Sequence, residues 1–547
     1  MTARHGKILW ENDIFALSIS SLFLFFFIIV YLYFAEQEAA KDKERLLSNR
    51  RIVHIALVLF GGFTLHFALK WAMVRYPLLE PYTVIFTLSM PLKGTDSETF
   101  SSAFNGVILP ASLFLGISLL GMLSIKKYSC LRLKLRFCVG RWSLILSYII
   151  LFSSIFTIFY TLPVSGYFEA AAKQKLPVEN SEFYIKYYAD PNKTKITFPQ
   201  KKKNLILILL ESIESSFLAK KTGGLFEKDY IPELTRLASE NINFSHTQLI
   251  GGGKDLWGTH WTIASMVAKL CGIPFNLPIF DNTTFFVDFL PGAKGLTDIL
   301  HEHGYRQRFL FGSDKNFASR GQFMKTHKVE VHDLIYYKEK KKVPEDYYVF
   351  WGIEDAKLFA LAKEELDEIS SHGDPFMLGL LTTDTHFPDG YICELCAPDK
   401  NSEIPAIFTV LRCASRQTEN FIKYIKSKPW YKDTVIVVLG DHLFMDKKIF
   451  PENQESRRWL NIFINSSIAP IRSKGREFSS FDMYPTILES MGAKIQGGSL
   501  ALGRSLFSDR PTIIEEIGLE EYINENLSRK SLQYNKFIYD SDAAAGK

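Results

Sequence analysis

Four apolar stretches lie within residues 1–162: Ile14–Ala35, Ile52–Val74, Ala103–Ile125 and Trp142–Leu162. Each is about as long as an α-helix must be to cross the hydrocarbon core of a bilayer, so the N-terminal part is expected to be a transmembrane α-helical bundle. A cleaved leader would show one short apolar core and a small-residue cleavage site, whereas the first stretch is long, Phe-rich and followed by another span. Lys41, Lys43, Arg45, Arg50 and Arg51 separate the first two spans, and Lys126, Lys127, Arg132, Lys134, Arg136 and Arg141 separate the last two. The connection over 75–102 offers only Arg75 and Lys93. Basic loops stay on the cytoplasmic side, so everything from residue 163 onward is expected outside. Pro81–Leu92 is semi-apolar but short and Pro-flanked, which suits an interfacial segment. The net charge of +5 is modest and much of its excess sits in the two cytoplasmic loops, so nucleic acid is not an implied partner.

Residues 163–203 read as a polar, Lys-rich, aromatic connector whose run Lys201–Lys203 could meet phospholipid headgroups or simply be solvated. From Asn204 short apolar runs alternate with helical segments, the pattern of a mostly parallel central sheet covered by helices. This α/β domain is expected over 204–510, with 511–547 as a C-terminal extension. Of six cysteines, Cys271, Cys393, Cys396 and Cys413 fall in the outer domain, where disulfides persist. The last three allow one pair, which spacing does not assign; a Cys-x-x-C zinc site is disfavoured because no second Cys or His pair is near.

Four apolar runs end in polar residues of one character. Leu205–Leu210 leads into Glu211 and Ser212, Gln307–Phe311 into Gly312, Ser313 and Asp314, Phe376–Leu381 into Thr382 to His386, and Val435–Leu439 into Gly440, Asp441 and His442. Open α/β sheets bind ligands beyond the carboxyl ends of their strands, so all four ends could line one site. Glu211, Asp441 and His442 suit a divalent ion such as zinc or manganese, although each alone is equally a helix-start or turn residue. After Gly251–Gly253, Thr262 opens a helix expected to run to Leu270, where unpaired N–H groups favour a phosphate. Thr262 is thus an N-cap or a nucleophile, and a hydroxyl attacks well only when a metal lowers its pKa.

Asn204 to Ser212, Gly258-Thr-His-Trp-Thr262-Ile-Ala-Ser265-Met, Gly440-Asp441-His442 and Phe481-Asp-Met-Tyr-Pro485 occur in the order seen in the sulfatase-like branch of the alkaline phosphatase superfamily. More narrowly, residues 200–510 resemble the membrane phosphoglycerol transferases that decorate osmoregulated periplasmic glucans, and their relatives the lipoteichoic acid synthases. Trp351-Gly-Ile-Glu-Asp355, Cys271-Gly-Ile-Pro and the region Cys393–Cys413 add to the likeness. The resemblance implies a sulfatase-like fold and one divalent metal ion, Mn or Zn, held by Glu211, Thr262, Asp441 and His442. It makes Thr262 the nucleophile, with Thr259 as fallback, because Thr-x-x-Ser265 is the family spacing. His386 matches a phosphate-binding histidine that also serves as acid or base, and Arg320 an arginine that grips glycerol phosphate; Ser265 is grouped with them as substrate-binding. Ala318 and Phe311 stand where lipoteichoic acid synthases have tryptophan and histidine, which argues against polymer synthesis.

The implied enzyme sits in the bacterial cytoplasmic (inner) membrane with its catalytic domain in the periplasm. It moves phosphoglycerol from phosphatidylglycerol to an envelope glycan through Thr262. A phosphoethanolamine transferase acting on lipopolysaccharide is the neighbouring alternative, although the larger disulfide set of those enzymes is missing. A true sulfatase would need Cys-x-Pro-Ser-Arg, which Cys396-Ala-Pro-Asp-Lys400 does not supply. From a different class, a catalytically silent glycan- or lipid-binding membrane protein would keep the fold without the metal-site residues.

Overall fold

The computed structural model describes residues 49–75, 101–128, 145, 147–156, 178–276, 288–399, 403–451 and 454–538. Two compact units emerge, one from Met1–Tyr76 with Ser97–Val164, the other from Pro77–Asp96 with Ser165–Lys547.

In the first unit, the second and third expected spans fall on the helix Asn49–Arg75 and on helical chain ending in the helix Leu109–Tyr128. Val53–Ala72 and Ser101–Leu120, of mean hydropathy 1.6 and 1.9, are long and apolar enough to cross a membrane. The fourth span is represented by the shorter apolar helix Ser147–Phe156. The expected span at 14–35 and the segment 81–92 lie outside the described residues, as do Cys130 and Cys138. Small residues let the helices approach: the Ser154 hydroxyl donates to the Gly62 carbonyl at 3.0 Å, and Trp71 Nε1 donates to Ser102 Oγ at 2.9 Å.

The second unit is built on a seven-stranded sheet of β1 Asn204–Leu210, β2 Gly252–Gly253, β3 Arg306–Phe311, β4 Glu330–His332, β5 Phe376–Leu381, β6 Thr434–Gly440 and β7 Trp459–Ile464. Their spatial order is β2-β7-β6-β1-β5-β3-β4. Pairings among β1, β3, β4, β5 and β6 are parallel, and only β7 runs against its neighbours, so the sheet is mixed but mostly parallel. The central strands are apolar on both sides because both faces are covered. Leu205, Leu207 and Leu209 enter one core with the helices Thr262–Cys271 and Met483–Ser490. Ile206, Ile208 and Leu210 enter the opposite core with the helices Asp355–Ser370 and Ala406–Lys426. Each such side chain contributes roughly 1.5–3 kcal/mol through burial.

The described part of the expected connector is not a solvated linker. Phe183, Tyr184 and Tyr187 are buried in the first core beside Tyr534 and Phe537 of the C-terminal segment. The lysine run lies at the amino end of β1: exposed Lys201 pairs with Asp433 at 2.7 Å, while half-buried Lys202 donates to the His303 carbonyl and Lys203 to the Asn465 carbonyl. Ile523 and Leu527 of the helix Glu520–Ser528 pack there too, so the C-terminal extension completes the domain. Cys396 and Cys413 form the one disulfide among the described residues, with Cys393 Sγ 3.3 Å from Cys396 Sγ; Cys271 is a free, buried core thiol.

Candidate active site

The parallel strands β1 and β6 are direct neighbours in register Leu210↔Gly440, so Glu211 and Asp441 leave the sheet side by side. Gly440 permits this approach, since a Cβ there would overlap the Ile213 carbonyl oxygen. Ser212 adopts a left-handed φ of 55°, which turns its N–H toward Asp441 Oδ1 at 2.7 Å. The His442 N–H donates to the same oxygen at 2.7 Å, while Asp441 Oδ2 is buried with no hydrogen-bond partner. Ser212 Oγ donates to Glu211 Oε1 at 2.8 Å. His442 Nδ1 donates to the Leu443 carbonyl at 2.9 Å, which leaves the Nε2 lone pair directed into the cluster.

Thr262 closes the group. It is the first residue of a ten-residue helix, preceded by extended Trp261 and by a turn at Gly258 with φ 76°. Its Oγ1 lies 3.4 Å from Glu211 Oε2 and 3.4 Å from His442 Nε2. His442 Nε2 is in turn 3.4 Å from Glu211 Oε1 and 3.4 Å from Asp441 Oδ2. Ligands held about 2.1 Å from a tetrahedral ion stand about 3.4 Å apart, the separation seen for these four pairs, and the Glu211, Asp441 and His442 donors all lie within 4.8 Å of one another, so the donor set suits a divalent cation. The orphaned Asp441 Oδ2 and the tautomer selected at His442 agree with that fit. The alternative nucleophile does not fit: Thr259 is fully buried and its hydroxyl is engaged with the Leu256 backbone at 2.9 and 3.0 Å.

Two carboxylates buried together repel. Burial first, then the charge of Glu211, pushes Asp441 up to about 7. Burial draws His442 down, yet Asp441 and Glu211 together hold it above its usual value. Lys269, two turns along the helix from Thr262, is fully buried and donates to the Asp441 carbonyl at 2.6 Å, Ser265 Oγ at 2.7 Å and Ser480 Oγ at 2.9 Å. Burial lowers its pKa to about 8 against the pull of Asp255 and Asp441. Asp255, whose Oδ2 accepts from the Leu443 N–H at 3.2 Å, secures the other side of the same loop.

Ser265 departs from its expected role at the substrate. It has no exposure, and its hydroxyl donates to the Asp441 carbonyl while accepting from Lys269, so it braces the Asp441 loop. Arg320 follows two left-handed residues, Ala318 at φ 53° and Ser319 at φ 55°, strain of the kind found at functional sites. Its guanidinium donates to Ser313 Oγ at 2.6 Å and to the Phe317 carbonyl at 3.1 Å, and lies over the Phe311 and Phe317 rings. Burial lowers its pKa to about 10 against the fields of Glu211, Asp314 and Asp441, so it stays cationic. His386 is carried by the loop after β5, which is tied to β1 by the Glu211 N–H donating to Thr382 Oγ1 and by the Thr385 hydroxyl donating to the Glu211 carbonyl. Its Nδ1 donates to the Phe387 carbonyl at 2.8 Å, and its ring meets Trp351 at 4.6 Å.

Lys269, Asp255 and Trp351 are not evident from the sequence as site residues. The spacing 262, 265, 269 places all three on one helix face and could have indicated Lys269.

A family model described as Sulfatase matches residues 203–493. Curated relatives named phosphoglycerol transferase I, from Shigella flexneri and from Escherichia coli (strain K12), are each 34% identical over 332 residues, covering 59% of this chain and 41% of the relative. The chain thus spans less than half the length of these curated relatives. Among solved structures, a protein in the alkaline phosphatase superfamily from Vibrio parahaemolyticus aligns with TM-score 0.44 at 19% identity, covering 63% of this chain and 78% of that one. The lipoteichoic acid synthase LtaP from Listeria monocytogenes aligns with TM-score 0.44 at 17% identity, covering 62% and 81%.

Proposed function

Since this chain belongs to the sulfatase family, we propose that it is a metal-dependent transferase carrying phosphoglycerol from phosphatidylglycerol to a cell-envelope glycan through a covalent bond to Thr262. The observation that carries the reading is the Thr262 hydroxyl at a helix N-terminus, 3.4 Å from both Glu211 and His442. A divalent ion held by Glu211, Asp441, His442 and Thr262 would supply Lewis acidity, favouring the threonine alkoxide and offsetting phosphate charge.

This chain's residues do the rest. The helix N-terminus and Arg320 bind the donor phosphate. Thr262 Oγ1 attacks phosphorus as its proton leaves toward Glu211, and the bond to the diacylglycerol oxygen breaks with His386 supplying the proton that oxygen needs. In the second half, His386 takes the proton of a sugar hydroxyl, that oxygen attacks the phosphothreonine, and Thr262 leaves and regains a proton. Positioning and charge neutralisation provide most of the rate in such transfers. We read the protein as a multi-pass inner-membrane protein with this domain on the periplasmic side, near its lipid donor; the two apolar helices Val53–Ala72 and Ser101–Leu120 support that reading.

The test is intact mass of the detergent-solubilised chain after incubation with phosphatidylglycerol or phosphatidylethanolamine plus manganese or zinc. A phosphoglycerol adduct absent from Thr262→Ala is expected. A phosphoethanolamine adduct would replace the donor, and neither adduct nor released diacylglycerol from either lipid would defeat the proposal.

A further inference from the structure

The segment Tyr347-Tyr348-Val349-Phe350-Trp351 places four aromatic side chains in five residues; Tyr347 packs against the core, and none of the four is fully buried. Tyr348 is 41% exposed and Phe350 and Trp351 are half-buried, although Ile353 two residues on is fully buried. The backbone that presents them is tightly held. Val349 and Gly352 exchange hydrogen bonds at 2.9 Å, the Ile353 N–H donates to the Gly312 carbonyl at 2.7 Å, and Phe350 takes a left-handed φ of 56°. A left-handed conformation is unfavourable for an aromatic residue and persists only where surrounding contacts enforce it.

The rings form a continuous strip. Phe350 stacks on Tyr391 at 5.8 Å and 21°, meets Trp351 at 6.4 Å, and Trp351 meets Phe317 at 5.3 Å. One end touches the proposed chemistry at two points, since Trp351 lies against His386 at 4.6 Å and Phe317 lies against the Arg320 guanidinium at 5.1 Å. Acceptors accompany the rings: Tyr347 donates to Glu354 Oε2 at 2.6 Å, and the Glu354 carboxylate is only partly buried.

Resting on the transferase reading above, we propose that the strip Phe317–Trp351–Phe350–Tyr391 is the acceptor subsite, taking the apolar C–H faces of successive pyranose rings of a neutral glycan. The glycerol end of the donor is one small polyol and calls for hydrogen-bond donors, whereas several linked rings leading away from His386 match an oligosaccharide. The sugar hydroxyl at the His386 end is then the one that attacks. Aromatic faces supply contact area at little conformational cost, and the sugar's equatorial hydroxyls remain for Glu354 and solvent.

The experiment uses the full chain in detergent with maltopentaose and sophoropentaose as probes and has two readouts. The first is sugar binding without turnover, by tryptophan fluorescence in the presence of EDTA. The second is acceptor KM, compared with the rate of diacylglycerol release in the absence of sugar. Phe350→Ala and Tyr391→Ala, at the stacked far end of the strip from Trp351, are each expected to raise Kd and acceptor KM about tenfold, with the change in KM several times larger than that in diacylglycerol release. Trp351→Phe is expected to retain more acceptor affinity than Trp351→Ala. Unchanged Kd and KM in both Phe350→Ala and Tyr391→Ala, with melting curves like the parent's, overturn the proposal. So does a loss confined to diacylglycerol release, which would assign the strip to the lipid. Failure of the underlying reading appears separately, as a parent chain that forms no Thr262 adduct; the EDTA binding measurement then decides the subsite by itself.

Discussion

At the scale of single residues, the candidate centre is a set of conflicting charges that a cation would reconcile. In the metal-free protein Asp441 is pushed up to about 7 and His442 is held above its usual value, yet both must be deprotonated to act as ligands. Metal must therefore displace protons below those values, so affinity falls with acidification, by about tenfold per pH unit for each proton displaced. Zinc titrations monitored by calorimetry should show affinity rising with pH up to and through about pH 7 and levelling off above the values of Asp441 and His442; a flat profile would contradict this charge arrangement. Lys269→Met keeps the aliphatic stem but removes the buried donor to Ser265 and Ser480 and one of the two donors to the Asp441 carbonyl. It is expected to cost about 3 kcal/mol in chemical denaturation and to weaken zinc binding at least tenfold through the displaced Asp441 loop. Glu211, Asp441 and His442 are legible in sequence because polar residues directly after apolar runs mark strand ends. Lys269 is not, since a lysine within a helix ordinarily signals an exposed face, and only the buried acceptors beneath Thr262 reverse that. The resemblance puts Ser265 at the substrate, but a matched motif fixes a helix face and not how deep along that face solvent reaches.

At the scale of elements, the site depends on how closely β1 and β6 release their chains. Gly440 is the hinge of that arrangement, because the Ile213 carbonyl occupies the space a Cβ would need. Gly440→Ala is expected to cost several kcal/mol, about 3 or more, and to abolish metal binding, since Asp441 cannot then sit beside Glu211. A lowered midpoint in urea together with loss of the zinc isotherm would bear this out, and a normal isotherm would show that the loop tolerates the displacement. The strands themselves are readable from continuous apolar runs, and four of them define the sheet's carboxyl edge correctly. The short strands β2 and β4 and the antiparallel β7 are not, because two or three residues carry no periodicity and direction is set by tertiary pairing. The connector is misread for a related reason. Phe183, Tyr184 and Tyr187 lie among polar residues and form no apolar run, yet Tyr184 becomes fully core once the C-terminal helices bring Tyr534 against it.

At the scale of the whole molecule, the chain has one unit with helices long and apolar enough to cross a membrane and another whose core is closed by its own residues, from Phe183 near its start to Phe537 near its end. Such a unit should fold alone, since among the described residues its two cores are built from residues 183–538. On the transferase reading, the N-terminal helices are expected to serve access to the donor. A fragment of residues 165–547 is expected to bind zinc as the full chain does and to release diacylglycerol from short-chain phosphatidylglycerol dispersed as monomers at a similar kcat/KM. On phosphatidylglycerol within vesicles it should fall behind the membrane-embedded full chain by about 10²–10⁴, because tethering turns a bimolecular encounter into a local one at millimolar effective concentration. Equal loss on both substrates would mean that the first unit contributes to the site itself. Equal activity on both would mean that the domain reaches the bilayer unaided, and the apolar helices would then need another purpose.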